Sequence, residues 1–96
     1  MDIIQRWKED PTVKRIKDGN GNVYGIRVIG RGEDLFFQEN EKALLCVIDA
    51  IDSIIYVKSI KNWEGEKKMN EVEKNRVLDL IRHFYKIVYK SDLHVA

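Results

Sequence analysis

Residues 70–90 read NEVEKNRVLDLIRHFYKIVYK, and their apolar side chains return every three or four positions. Val77, Leu80, Ile81, Phe84, Ile87 and Val88 fall on one stripe of a helix, with Asn75, Asp79, Arg82 and Lys86 opposite. Asn70 is placed to cap this helix, and Glu73 three positions on gives a capping-box pattern. Glu71 and Glu73 near the start, with Lys86 and Lys90 near the end, complement the helix dipole. Such a helix has one apolar face to bury, so the rest of the chain must supply a matching surface.

Residues 12–60 supply it as short apolar runs broken by Gly, Asn and Asp. TVKRIK (12–17) and NVYGIRVI (22–29) read as strands around DGNG, whose residues tolerate positive φ. Tyr24, Ile26 and Val28 share one face of the second strand. GRG makes the next turn, DLFFQE (34–39) is a third strand, and NEKA turns the chain again. ALLCVI (43–48) suits a helix or a strand, because Leu44, Leu45 and Ile48 have helical spacing. Its shortness, its β-branched members and the DAID that follows favour a buried strand. SIIYVKSI (53–60) reads as the fifth strand, with Ile54 and Tyr56 on one face and Ile55 and Val57 on the other. LHVA fits a short terminal strand.

The expected fold is therefore α+β. An antiparallel meander of about five strands over 12–60 carries the helix 70–90 on one face, within a single domain of residues 1–96. Both faces of SIIYVKSI are apolar, yet the helix covers one. Ile3, Ile4 and Trp7 have helical spacing in residues 2–8, before Pro11. Either that short helix or a second copy of the chain, as a homodimer, is expected to cover the other face.

The composition places the chain among globular domains, at 44% hydrophobic and 34% charged residues. A net charge of +1 gives no global attraction to nucleic acid or to an anionic membrane, so neither is expected as a partner. The apolar runs are too short to span a bilayer, and MDIIQRWKED lacks the apolar stretch of a secretory signal. The single cysteine, Cys46, lies among apolar neighbours and reads as a buried reduced thiol. These features make the cytoplasm the expected compartment.

No constellation of residues calls for catalysis or for a cofactor. Asp79 and His83 are four apart and neighbours on the exposed side of the helix, as on many solvated faces. Two scattered histidines and one cysteine do not converge as metal ligands. GNGNVYG lacks both the Lys-Ser/Thr ending and the following helix of a phosphate-binding loop, and a hairpin turn explains it. Arg15, Lys17, Arg27 and Arg31 could form a basic patch on the first hairpin, without the aromatic interleaving of a nucleic-acid reader. The chain is not expected to be an enzyme.

The charge distribution is more informative than its total. Residues 1–32 carry seven basic and four acidic side chains, residues 33–53 one and six, and residues 54–96 nine and six. The middle segment is thus net −5. If strands 34–39 and 43–48 pair, Glu39 and Glu41 gather at their turn, while Glu33 and Asp34 lie near Asp49 and Asp52 at the other end, roughly 17 Å away. Polar residues commonly occupy turns. The alternative is an acidic surface for a basic partner.

Trp63, in SIKNWEGEKK, stands where sheet gives way to helix. A plug that fixes the angle between the two explains it, and a partner anchor is the second possibility. Here the chain resembles the Immunity protein 74 family, small bacterial immunity proteins of polymorphic toxin systems. The shared features are a hydrophobic strand ending in an acid (LFFQE), a strand ending in SIKNW followed by Glu64, and the helix EKNRVLDLIRHF. Ile60, Trp63, Glu64, Glu73, Arg76 and Ile81 carry the similarity, which spans about the last two-thirds of the chain. EGEKK has no Pro where the family usually has one. The resemblance implies a non-enzymatic protein that binds and neutralises a cognate protein toxin, without transferring a binding surface. A self-associating structural or regulatory module is the competing expectation. Glu33, Asp34, Glu39, Glu41, Asp49, Asp52 and Trp63 are the candidate partner-binding residues.

Overall fold

A computed structural model describes residues 3–96. The elements run α1 (Ile3–Glu9), β1 (Lys14–Lys17), β2 (Val23–Ile29), β3 (Asp34–Glu39), β4 (Lys42–Asp49), β5 (Ile54–Ile55), α2 (Glu71–Tyr89) and β6 (His94–Val95). The strands form one sheet in chain order, β1 to β6. The fold is α+β, a mostly antiparallel open sheet with two helices. Residue 2, assigned by sequence to the first helix, lies outside the described residues.

β4 settles the ambiguity of ALLCVI in favour of strand, because each of its residues from Lys42 to Val47 has a β3 partner in register. Alternation then sorts the side chains. Tyr24, Ile26, Leu35, Phe37, Leu44, Cys46 and Ile48 face α2 and join Val77, Ile81 and Phe84 in the main core. Phe36 and Ala43 point the other way and pack with Ile4 and Val13, flanked by Trp7 and Leu45. The short N-terminal helix therefore covers part of the second face.

α1 is too short to persist alone, so its position depends on tertiary contacts. Arg15 donates to the carbonyls of Trp7, Lys8 and Asp10 at its C-terminal end, and the Arg27 guanidinium lies 5.7 Å from the centre of the Trp7 ring. Gly25 lets Val13 approach β2, since a Cβ there would stand 3.1 Å from Val13 Cγ1. β1 stops short of Val28, whose N–H is taken up by the Tyr89 hydroxyl at 2.7 Å.

Two expectations are corrected. The fifth strand is Ile54–Ile55 and not 53–60, because the chain leaves the sheet in a 3-10 turn at Val57–Ser59. There the Ser59 hydroxyl takes over from the ladder, accepting from Val47 N at 2.8 Å and donating to Tyr56 O at 2.6 Å. The expected terminal strand is β6, which returns from the end of α2 and joins the five earlier strands by pairing parallel to β5. The buried stripe of α2 is also rotated from the one expected. Leu78 and Tyr85 are buried, whereas Ile87 is 42% exposed.

Candidate functional site

The sequence marked two acidic ends and one corner, and the structure treats the three differently. At the corner Trp63 is 2% exposed, its ring 6.3 Å from that of Phe37 between centroids. Its Nε1–H donates to Glu73 Oε2 at 3.2 Å. Arg76, one turn along α2, grips the same carboxylate from Nε at 2.7 Å and from Nη2 at 3.0 Å. Its other edge is bidentate on Glu39 at the end of β3, with both bonds at 2.7 Å. Sheet, corner and helix are thus joined through one guanidinium.

This arrangement modifies the expected capping box. Asn70 Oδ1 does accept from Glu73 N at 2.8 Å, but the Glu73 carboxylate turns to Arg76 and Trp63 and not back to the cap. Arg76, then Trp63, hold the Glu73 carboxyl down at about 2. Ile60 and Ile81 are fully buried beside this node. Ile60, Trp63, Glu73, Arg76 and Ile81, together with the Glu39 of LFFQE, therefore converge on the joint between helix and sheet. Their common role here is architectural. Trp63 offers no surface to a partner, and the charge of Glu39 is already met within the chain.

The acids at the turn beside Glu39 have separate surroundings. Glu41 is exposed at the β3–β4 turn, where Asn40 takes a positive φ of 53°. Neighbouring Lys42 pairs with Glu66 at 3.6 Å. The two acids do not form one surface, since one is engaged below the sheet end and the other is solvated.

At the opposite end the grouping is closer. Glu33, Asp34 and Asp49 line one cleft of about 420 Å³ with Val47, Ile51 and Tyr56. Register places Asp34 opposite Val47 on the outer sheet face. The β2–β3 turn is fastened to β4 by Ile48 N to Glu33 O at 2.9 Å and Ala50 N to Gly32 O at 3.0 Å. Gly32 is required there, at φ 87° and with a Cβ position 3.1 Å from that of Ala50. Asp49 Oδ1 accepts from Ile51 N and Asp52 N, which fixes the turn that lifts Ile51 into solvent. Asp52 is exposed but is not part of the cleft wall.

The apolar members of this cleft were not singled out by sequence. Val47 is 43%, Tyr56 40% and Ile51 90% exposed. The available signal was Ile51, a β-branched apolar residue in the tight polar turn DAID. The cleft thus gathers three exposed apolar groups, three carboxylates and Arg31.

Asp79 and His83 are exposed and no hydrogen bond joins them. The Cys46 thiol is buried, and burial pushes it up to about 12, the reverse of what a nucleophile requires. Among the described residues no group of three or more potential ligands could hold a metal ion, and no helix is long and apolar enough to cross a membrane. The basic patch of the first hairpin is dispersed, since Arg15 binds carbonyls and Arg27 lies over Trp7. The fold is a small α+β domain with one cleft lined by acidic and exposed apolar residues. No protein-family model, curated protein or solved structure matches the chain.

Proposed function

We propose that this domain is a non-enzymatic immunity protein that binds and neutralises a cognate bacterial toxin in the cytoplasm. Its contact face is the cleft between the Gly30–Glu33 turn and the Ala50–Ser53 turn. One observation carries the choice of face: Val47, Ile51 and Tyr56 are exposed together and are flanked by Glu33, Asp34 and Asp49. Interfaces draw their energy from a few apolar and aromatic anchors, while charge around them sets encounter rate and register. The complementary toxin surface would present lysines or arginines around an apolar prominence. The resemblance at the corner supports the immunity reading, and the acidic middle segment, net −5, supports a basic partner.

The test is capture of the product of the adjacent gene, followed by binding kinetics at two salt concentrations. Glu33→Lys with Asp34→Lys is expected to slow association and flatten its salt dependence. Tyr56→Ala with Ile51→Ala is expected to speed dissociation by about tenfold or more. Unchanged kinetics in both double variants would place the binding surface elsewhere. A second reading, self-association through the same face, is favoured by the extreme exposure of Ile51. It predicts a dimeric mass by light scattering that Ile51→Ala returns to monomer, with no capture of the neighbouring gene product.

A further inference from the structure

A second cleft, of about 260 Å³, opens where the chain leaves the sheet and enters α2, and its walls carry Lys58, Lys61, Lys68 and Lys74. The four come from separate stretches: the 3-10 turn, the segment after it, the approach to α2, and the second turn of α2. Among the described residues no ion pair or hydrogen bond engages any of their ammonium groups. Lysines spread over a surface need no explanation, but four in the walls of one concavity concentrate positive charge there. Glu71 supplies the single opposing charge in the wall, leaving the cleft at +3.

The backbone that presents these lysines is fixed. Met69 N donates to Lys61 O at 2.8 Å, which clasps the approach to α2 against the exit from the sheet. Ile60 is fully buried between them, and the N-terminus of the 19-residue α2 adds its partial positive charge to the same place. A concavity with surplus positive charge suits an anion. Each phosphate group carries roughly −1.5 to −2 at neutral pH, so a surplus of +3 matches about two of them. The small volume of the cleft favours a compact ligand over a long polymer.

We infer that this lysine-lined cleft binds a compact diphosphate, either free pyrophosphate or the diphosphate of a nucleotide. The inference is independent of the acidic cleft and of any toxin. Titration of the whole chain with pyrophosphate at about 0.15 M salt, followed by calorimetry and backbone amide shifts, provides the test. Saturable binding is expected, with shifts confined to Lys58–Lys61, Lys68–Met69 and the first two turns of α2. Lys61→Gln with Lys68→Gln, its fold checked by thermal melting, should weaken binding by roughly tenfold to a hundredfold. The control, Lys14→Gln with Lys17→Gln on the β1 edge, should leave binding unchanged. Adenosine diphosphate separates the two sources: equal affinity identifies the diphosphate alone as the ligand, and tighter binding identifies a nucleotide. The inference is overturned by any of three results. These are absence of saturable binding, sulfate competing as well as pyrophosphate, and a single-stranded RNA that binds more tightly while shifting the β1 lysines.

Discussion

Trp63→Ala tests the joint on which the fold depends. The indole is 2% exposed and packs on Phe37 at 6.3 Å, in the same core as Ile60, Val77 and Ile81. A buried Trp removes about 150–250 Å² from water, which at about 25 cal/mol per Å² corresponds to roughly 4–6 kcal/mol as an upper bound. Partial collapse of the site lowers the loss and the residual cavity raises it, so the expected destabilisation is about 3–5 kcal/mol. The lost Nε1 hydrogen bond adds little, because Arg76 still holds the Glu73 carboxylate through two donors. With a urea dependence of about 1–3 kcal/mol per molar, the midpoint should fall by roughly 2 M. Circular dichroism at the helical band reports it without interference from Trp7. Trp63→Phe, which keeps a ring against Phe37 but loses the N–H, should recover more than half of the loss. An unchanged midpoint in Trp63→Ala would refute the claim that this side chain sets the sheet-to-helix angle.

Three further outcomes follow from the same geometry. Glu73 is held at about 2 by Arg76 and Trp63 against an ordinary 4.5, so its contribution to stability is complete above pH 4.5 and is lost as pH falls toward 2. Glu73→Gln should therefore flatten the melting-temperature profile between those values, and a parallel, merely lowered profile would contradict the assignment. Cys46, buried and pushed up to about 12, should resist a thiol-specific colorimetric reagent at pH 8 until denaturant is added; stoichiometric reaction in the native protein would show the core to be open. Lys90 ends α2 with φ 59°, where Gly carries no Cβ penalty, so Lys90→Gly should raise stability by about 1 kcal/mol in urea unfolding.

What the sequence determined by itself is local. The period of α2, the Asn70 cap, the alternation of β2 to β4 and the turn residues between them each depend on neighbours within a few positions. ALLCVI was only leaned toward strand by its length and β-branched members, since Leu44, Leu45 and Ile48 also suit a helix, and pairing with β3 decided it. Tertiary structure decided whatever depends on which long-range partner wins. The stripe of α2 rotated because Tyr85 and Leu78, not Ile87, meet the twisted sheet, and periodicity alone does not choose between adjacent faces. SIIYVKSI kept two of its expected ladder residues because the chain turned out of the sheet at Val57–Ser59 and the Ser59 hydroxyl took up Val47 N. The acids divided in the same way. Glu39 was claimed by an arginine 37 positions away, Asp49 was turned to holding its own loop, and Glu33 and Asp34 remained free beside apolar residues that only the paired turns bring together. Charge counts along a chain register how many carboxylates there are, whereas the folded chain determines which are already neutralised, because ion pairing falls off with distance in space and not in sequence.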